Sequence, residues 1–557
     1  MADISAHQAL HQTAHLDTFT HAHLPPAELW PERSFALPEL QYPEQFNCVD
    51  AFLDKALDTQ FANKYAILSA ELQWTYAELL AQVNRIAHVL TQDMGVIPGN
   101  RVLLRGTNHA MLAASFLAVL KVGAVAVPTM PLLRAKELGV MIDKARISHA
   151  ICDFHLKAEM EEAQAAHPEL RQLIFYRGGE HSLESRMAAM PAEFTSFASY
   201  ADDVCLIGFT SGTTGTPKAT MHFHRDMLAI CDCFPRSVLK VRESDIFIGT
   251  PPLAFTFGLG GLLLFPLRYG ATTVLSEKLT PDTLLQAIVR YQATVCFTAP
   301  TFYRQMALLA KDMDLRCLRE TVSAGEMLPI STRQAWQEAT GLRMIDGIGA
   351  TEMLHIFISA SGDEVRPGAT GKPVPGYQAC ILDADGQPVS PGVVGRLAVK
   401  GPTGCRYLAD ERQLNYVHQG WNLTGDAYEM DSDGYFYYRA RTDDMIISAG
   451  YNIAGPEVED AILLHPAVAE CAVIGIADEQ RGQLVKAFIV LRAGQEASEQ
   501  MVKAIQDFVK QSIAPYKYPR AIEFRSSLPR TETGKLQRFR LREASITIPP
   551  VAHQSGQ

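Results

Sequence analysis

Thr75 and Glu78 form the two halves of a reciprocal helix cap, and Leu79, Val83, Ile86 and Leu90 then recur at helical spacing, which predicts a helix from that point. A strand-like run, Arg101 to Arg105, and a helix-like stretch, Met111 to Lys121, follow. The same rhythm returns later, with strand candidates at 245–250, 294–298, 320–324 and 343–346 separated by helical segments. One of these segments opens with Thr280 as its cap and Pro281 in the first helical position. Such alternation predicts an α/β protein of layered sheets with ligands at the strand ends. Past the aromatic cluster Tyr435 to Tyr438 come Arg441-Thr442-Asp443-Asp444, a glycine-bearing loop and a helix opening at Pro456, and a domain boundary is placed there. Beyond it, two strand runs, Val468 to Ile476 and Leu484 to Leu491, accompany a helix built on Val502, Ile505, Phe508 and Val509. The expected organisation is a lead-in over 1–40, a large domain over 41–442, a small α+β domain over 443–541 and a disordered tail over 542–557.

With 557 residues, 47% of them apolar, the chain has enough material for several cores. Its net charge of −11 leaves no broad basic surface for nucleic acid. Two apolar stretches fall short of a membrane span: Met111 to Leu133 is cut by Lys121 and prolines, and Pro251 to Leu267 by prolines and glycines. The ten cysteines are scattered, and the nearest pair, Cys231 and Cys233, lacks the spacing of zinc knuckles, so a reduced, cytoplasmic setting is expected. His222 and His224 precede that pair, and no metal is assigned to them. Five histidines (7, 11, 15, 21 and 23) without an apolar secretory core mark the start as a polar lead-in.

Directly after the apolar run Val204 to Phe209 stands Thr210-Ser211-Gly212-Thr213-Thr214-Gly215-Thr216-Pro217-Lys218. Glycines let backbone N–H groups approach a polyphosphate, hydroxyls add donors and a lysine compensates charge, which suits ATP; a flexible surface loop would share this composition. The Walker pattern does not fit, because Pro217 precedes Lys218 and Ala219 follows it. Four more segments follow in order: Ser323-Ala324-Gly325-Glu326, Asp346-Gly347-Ile348-Gly349-Ala350-Thr351-Glu352, Thr424-Gly425-Asp426, and Pro529-Arg530-Thr531-Glu532-Thr533-Gly534-Lys535.

Together these segments, spread over about residues 40 to 541, resemble the adenylate-forming superfamily of acyl- and aryl-CoA synthetases. The resemblance implies a large N-terminal domain of layered α/β subdomains and a small mobile C-terminal domain. It implies that Thr351 touches the α-phosphate of ATP, that Glu352 positions Mg²⁺, and that Asp426 and Arg441 hold the ribose. Adenine would lie between Ser323 to Glu326 and the Asp346-Gly347-Ile348 strand end, where Ile348 replaces the usual aromatic and covers the base by dispersion. Lys535 would neutralise charge as two anions meet, Asp443 would be the interdomain hinge, and Gly450 would line the tunnel for coenzyme A.

The segment Pro252 to Gly260 is rich in aromatics and glycine, which suits either a flat apolar pocket or core packing. With Glu352 to Phe357 and the opening Leu24 to Pro31, it resembles benzoate-CoA and 2-aminobenzoate-CoA ligases. That likeness implies an acid pocket formed by Phe255, Phe257, Gly258, Gly349 and His355, the last either bonding the substrate or serving as a buried structural histidine. The implied reaction joins an aromatic carboxylate to ATP and then to CoA. A medium-chain acyl-CoA synthetase and an enzyme loading a carrier protein are the alternatives.

Overall fold

The computed structural model describes residues 12–54, 61–210, 217–448, 451–478, 481–530 and 536–546, which form four sheets. One sheet has six strands, in the order Gln172–Tyr176, His149–Asp153, Arg101–Arg105, Val125–Thr129, Val204–Thr210 and Lys218–Phe223. The first five are parallel, and the last returns as an antiparallel hairpin partner. Arg101–Arg105, Val125–Thr129 and His149–Asp153 are buried along their whole length, as expected of parallel strands covered on both faces. The second sheet has nine strands; at its centre Ile345–Gly349, Glu320–Ala324, Val295–Thr298, Ile246–Gly249, Thr272–Val274 and Tyr65–Leu68 are parallel neighbours.

A single apolar cluster joins the two sheets, holding Val102, Leu104 and Ala126 of one with Phe247, Phe297 and Val322 of the other. Helix Ala110–Lys121 belongs to it and is buried on every side. That burial explains its membrane-like composition. Lys121, the charge that interrupts the run, is itself fully buried and reaches both carboxylate oxygens of Asp54 at 2.8 Å. Among the described residues no helix is long and apolar enough to cross a membrane. The Thr75–Glu78 capping box forms as expected and opens helix Tyr76–His88.

The start of the chain departs from the expected lead-in, because residues 12–40 are docked onto the large domain. Asp17 accepts from Arg101 at 2.5 Å and from Asn100 at 2.8 Å. Trp30 packs against Phe223, and Arg33 forms a two-pronged pair with Asp202. His15 is buried, which pushes it down to about 4 and keeps it neutral. Phe19, Leu24 and Trp30, interleaved with the histidines, supply the apolar surface that fastens the segment.

A short 3₁₀ turn, Thr442–Asp444, stands at the expected boundary. After it, strands Ile446–Ser448, Tyr451–Ile453, Val468–Asp478, Gly482–Leu491 and Ala521–Phe524 make a small sheet. Helices Gly455–Leu463 and Glu499–Ser512 cover it, with a core of its own around Ile453, Val458, Ile462, Val485, Ile505 and Val509. Order runs past the expected start of the tail at 542: helix Arg538–Ile546 buries Leu541, and Arg542 pairs with Asp444 at 2.6 Å. All ten cysteines are free thiols.

Candidate active site

Strand Val204–Thr210 delivers the glycine-rich segment to the sheet's carboxyl edge, where Thr210 pairs in register with Lys218 on the return strand. Ser211, Gly212, Thr213, Thr214 and Gly215 lie outside the described residues. Lys218 places its ammonium 5.2 Å from the ring centre of Tyr407. Within the strand, Gly208 has a steric role: a Cβ there would come 2.8 Å from the Thr351 methyl, so only glycine lets the Thr351–Glu352 turn approach.

Glu352 sits in the 3₁₀ turn Thr351–Met353 and is buried. The Tyr407 hydroxyl donates to its Oε1 at 2.5 Å, the one donor to this carboxylate among the described residues. Burial, reinforced by the adjacent Glu352 charge, raises the Tyr407 phenol far above its ordinary range, so it stays a donor. Behind the turn, His222 Nε2–H donates to the Thr351 carbonyl at 2.7 Å, and His222 Nδ1 lies 3.6 Å from Asp226. Asp226 in turn pairs with Arg406 at 3.1 Å, and both side chains are wholly buried. Burial alone would raise the Asp226 carboxyl, but Arg406, His222 and the Phe223 amide bring it down to about 2. A single carboxylate held by a neutral donor, with its second oxygen left to other partners, has the donor chemistry magnesium prefers alongside phosphate oxygens.

Tyr407 and His222 carry no local motif. Tyr407 stands 55 residues from Glu352 and pairs only through the fold. Tyr407→Phe should raise the Mg²⁺ concentration for half-maximal adenylation by about 10-fold or more, the worth of one hydrogen bond to a charged group. A magnesium titration superimposing on that of the native protein, with the fold intact, would leave Tyr407 only a packing role.

The two residues assigned to the ribose face each other across adjacent strands: Asp426 is in register with Arg441, and Arg441 Nη1 donates to Asp426 Oδ1 at 3.0 Å. Burial lifts the Asp426 carboxyl above its usual range, and Arg441 opposes the shift. Gly425 has φ of +76°, and a Cβ there would meet Arg441 Nη2 at 2.9 Å, so glycine is required twice over. Ser323 and Ala324 end a strand that pairs with Ile345–Gly349, Ala324 opposite Gly347, which brings together the two segments expected to flank adenine. Ile348 is half-buried there. Gly325 turns in the left-handed region, and Glu326 beyond it meets Arg530 of the small domain at 3.9 Å. Arg530 also holds Glu470 of its own domain at 2.8 Å.

Burial pushes Asp346 up to about 7, with Arg333 at 4.0 Å offsetting only part of the cost. Since its carboxyl is raised on folding, this group stabilises the fold below its unfolded pKa and loses that contribution as pH climbs to about 7. Asp346→Asn removes the ionisation, so its stability relative to the native protein should improve between pH 5 and pH 8. The gain should be on the order of 2 kcal/mol, read by nucleotide-free denaturant titration. An unchanged difference across that range would refute the assignment.

On the acid side, Phe255 is half-buried just before helix Thr256–Leu259, and Phe257 lies within it. A Cβ on Gly258 would sit 2.1 Å from the Pro252 carbonyl, and one on Gly349 2.9 Å from the His355 backbone, so both glycines mark close backbone contact. His355 is walled by Phe234, Phe257, Phe265 and Phe297, with ring centres 4.5–6.5 Å away. Burial pushes it down to about 3, with the Phe257 carbonyl nearby but no well-formed hydrogen bond to either nitrogen. Of the two readings of His355, its environment is that of a neutral core residue behind the pocket wall. Lys535 and Gly450 lie outside the described residues, as does the side chain of Asp443, whose backbone forms the boundary turn. His222 and His224 do not gather with Cys231 and Cys233, which are buried in helix His224–Phe234.

Known proteins share this fold. The AMP-binding enzyme family matches residues 54–407, and the AMP-binding enzyme C-terminal domain matches 457–535. The chain is 36% identical over 515 residues to a benzoate–CoA ligase of Thauera aromatica, covering 91% of this chain and 98% of that protein. It is 31% identical over 510 residues to a 3-hydroxybenzoate–CoA ligase of Aromatoleum sp. (strain CIB), covering 89% and 96%. Among solved structures, the anthranilate CoA ligase AuaEII in complex with anthranoyl-AMP superimposes with a TM-score of 0.86 at 36% identity, covering 92% of this chain and 99% of that one. With both domains of the family matched in order along it, this chain belongs to the AMP-binding enzyme family.

Proposed function

We propose that this protein is an AMP-forming aryl-CoA ligase whose acid substrate is benzoate or 2-aminobenzoate. Relatives that activate aromatic acids, matched over nearly their full length, support the coarser activity. The observation that carries the choice of acid is the aromatic wall. Three residues beyond Glu352, His355 enters a cluster of phenyl rings of which Phe257 is the half-buried member, which suits a flat apolar ring better than an extended chain.

ATP, Mg²⁺ and CoA are the cofactors and co-substrates. A carboxylate oxygen attacks the α-phosphorus of ATP, and a carboxyl–phosphate bond forms as pyrophosphate leaves. The thiolate of CoA then attacks the carbonyl carbon, the bond to AMP breaks, and the thiol proton is given up to solvent. Asp426 and Arg441 hold the ribose, and Thr351 holds the α-phosphate. Glu352, oriented by Tyr407, would hold magnesium, whose charge would offset that of the phosphates. Lys535 supplies a cation to the reacting oxygens. The Arg530–Glu326 contact, joining the segment that precedes Lys535 to the adenine side, supports this role.

Purified protein with ATP, Mg²⁺, free CoA and a panel of acids, followed by AMP release and thioester mass, tests the reading. Benzoate and 2-aminobenzoate should give the highest kcat/KM. Preference for hexanoate or octanoate would overturn the aromatic assignment, and adenylate formation without any CoA thioester would point to a carrier-protein acceptor.

A further inference from the structure

Tyr407 carries its hydroxyl to Glu352 from a segment that is held on two sides. On one side the segment pairs with the return strand Lys218–Phe223: Met221 N–H donates to the Arg406 carbonyl and Leu408 N–H to the Ala219 carbonyl, both at 2.8 Å, with Tyr407 bridged to Thr220. On the other side stands the single turn of helix Gln413–Tyr416. Tyr416 sets its ring edge-on to that of Tyr407, centres 5.8 Å apart, and Gln413, only 2% exposed, accepts the Tyr407 N–H at 2.9 Å.

The Gln413 amide has no spare bonding capacity. Its Nε2 donates to the Leu29 carbonyl at 2.8 Å and to the Cys405 carbonyl at 3.1 Å, while its Oε1 takes the Tyr407 N–H and, at 3.6 Å, the Cys405 thiol. Both donors and both lone pairs of the oxygen are thereby used in a buried place. Leu29 belongs to the docked opening of the chain, which runs as a strap along the Tyr407 segment. Ala409 N–H donates to the His23 carbonyl at 3.3 Å, and Ser34 N–H to the Gly401 carbonyl at 3.0 Å. An apolar side chain in place of Gln413 would drop every one of the amide's bonds, and a carboxylate would face two carbonyls.

We infer, on the reading that Glu352 holds magnesium, that Gln413 is a positioning residue for that carboxylate and that the strap over residues 23–34 is, through it, a working part of the active site. The path runs from the Leu29 carbonyl through the Gln413 amide to the Tyr407 backbone, and from the Tyr407 hydroxyl to Glu352. Gln413 acts through Tyr407: it fixes where the phenol stands, and so which carboxylate oxygen is left for the ion.

Magnesium titrations of adenylation in the native full-length protein, Gln413→Met, Tyr407→Phe, the double variant and Glu352→Gln test this. Gln413→Met should raise the half-saturating Mg²⁺ concentration about 3- to 10-fold and leave the KM for the acid within about 2-fold of native. In the Tyr407→Phe background the same substitution should add less than about 2-fold, because the two residues act in series. Equal shifts in both backgrounds, a titration matching the native one, or an acid KM that moves as far as the magnesium dependence would overturn the inference. A native titration in Glu352→Gln would overturn the magnesium reading and the inference with it. Because a core variant can fail to fold, hydrogen exchange in the native protein supplies a second measurement. Mg²⁺ added with a non-hydrolysable ATP analogue should slow exchange several-fold in peptides covering 405–413 and also 23–34, relative to the analogue with a chelator. Protection that leaves the strap unchanged would overturn its part in the site.

Discussion

Lys535→Ala is expected to slow adenylate formation by about 10²- to 10³-fold, the effect of removing one electrostatic stabiliser from a transition state. A carboxylate and a triphosphate repel each other, and the attack gathers negative charge on the oxygens around the α-phosphorus, so a cation delivered there acts on the barrier itself. Arg530, five residues earlier, meets Glu326, the last residue of the segment expected to flank adenine. The two half-reactions separate the roles. ATP–pyrophosphate exchange should collapse in the variant, while conversion of a supplied aryl-adenylate and CoA to the thioester should stay within a few-fold of native. Unchanged exchange would remove Lys535 from the chemistry, and equal losses in both halves would make its effect structural.

The second large effect concerns stability. Arg406→Met should destabilise the large domain by about 3–5 kcal/mol, because it strands Asp226 as an unpaired charge in a fully buried place. The guanidinium also lies over the rings of Phe223 at 4.1 Å and Trp30 at 5.2 Å, so its loss loosens the docked N-terminal segment as well. Removing both charges, as in Arg406→Met with Asp226→Leu, should recover most of the stability, since well-packed apolar replacements of a buried pair are often close to neutral. Denaturant titration of the two variants checks this. A single variant that loses under about 1 kcal/mol would show that water reaches Asp226 in the native fold.

Much of the architecture is written locally. The Thr75–Glu78 cap, the proline-led helix after Thr280 and the unbroken apolar run before Thr210 each depend on neighbours within four residues, and all three form where the pattern places them. The segments expected to face the nucleotide stand out for a different reason: their glycines sit where side chains must come close to backbone, as at Gly425. What escaped depends on partners far away in the chain. The histidine-studded start reads as polar because its counterparts, Arg101, Asp202 and Phe223, lie roughly 80 to 190 residues on. Tyr407 has no signature apart from Glu352. The helix running past 541 has no legible periodicity, because it is fastened by the buried Leu541 and by the distant Arg542–Asp444 pair.

The apolar cluster spanning both large sheets, to which the buried helix Ala110–Lys121 belongs, has a consequence for how the protein comes apart. Neither sheet can melt without uncovering the face of the other, so the first 440 residues should unravel as one cooperative unit. The last hundred, packed around their own interior, can loosen or swing while that unit stays whole.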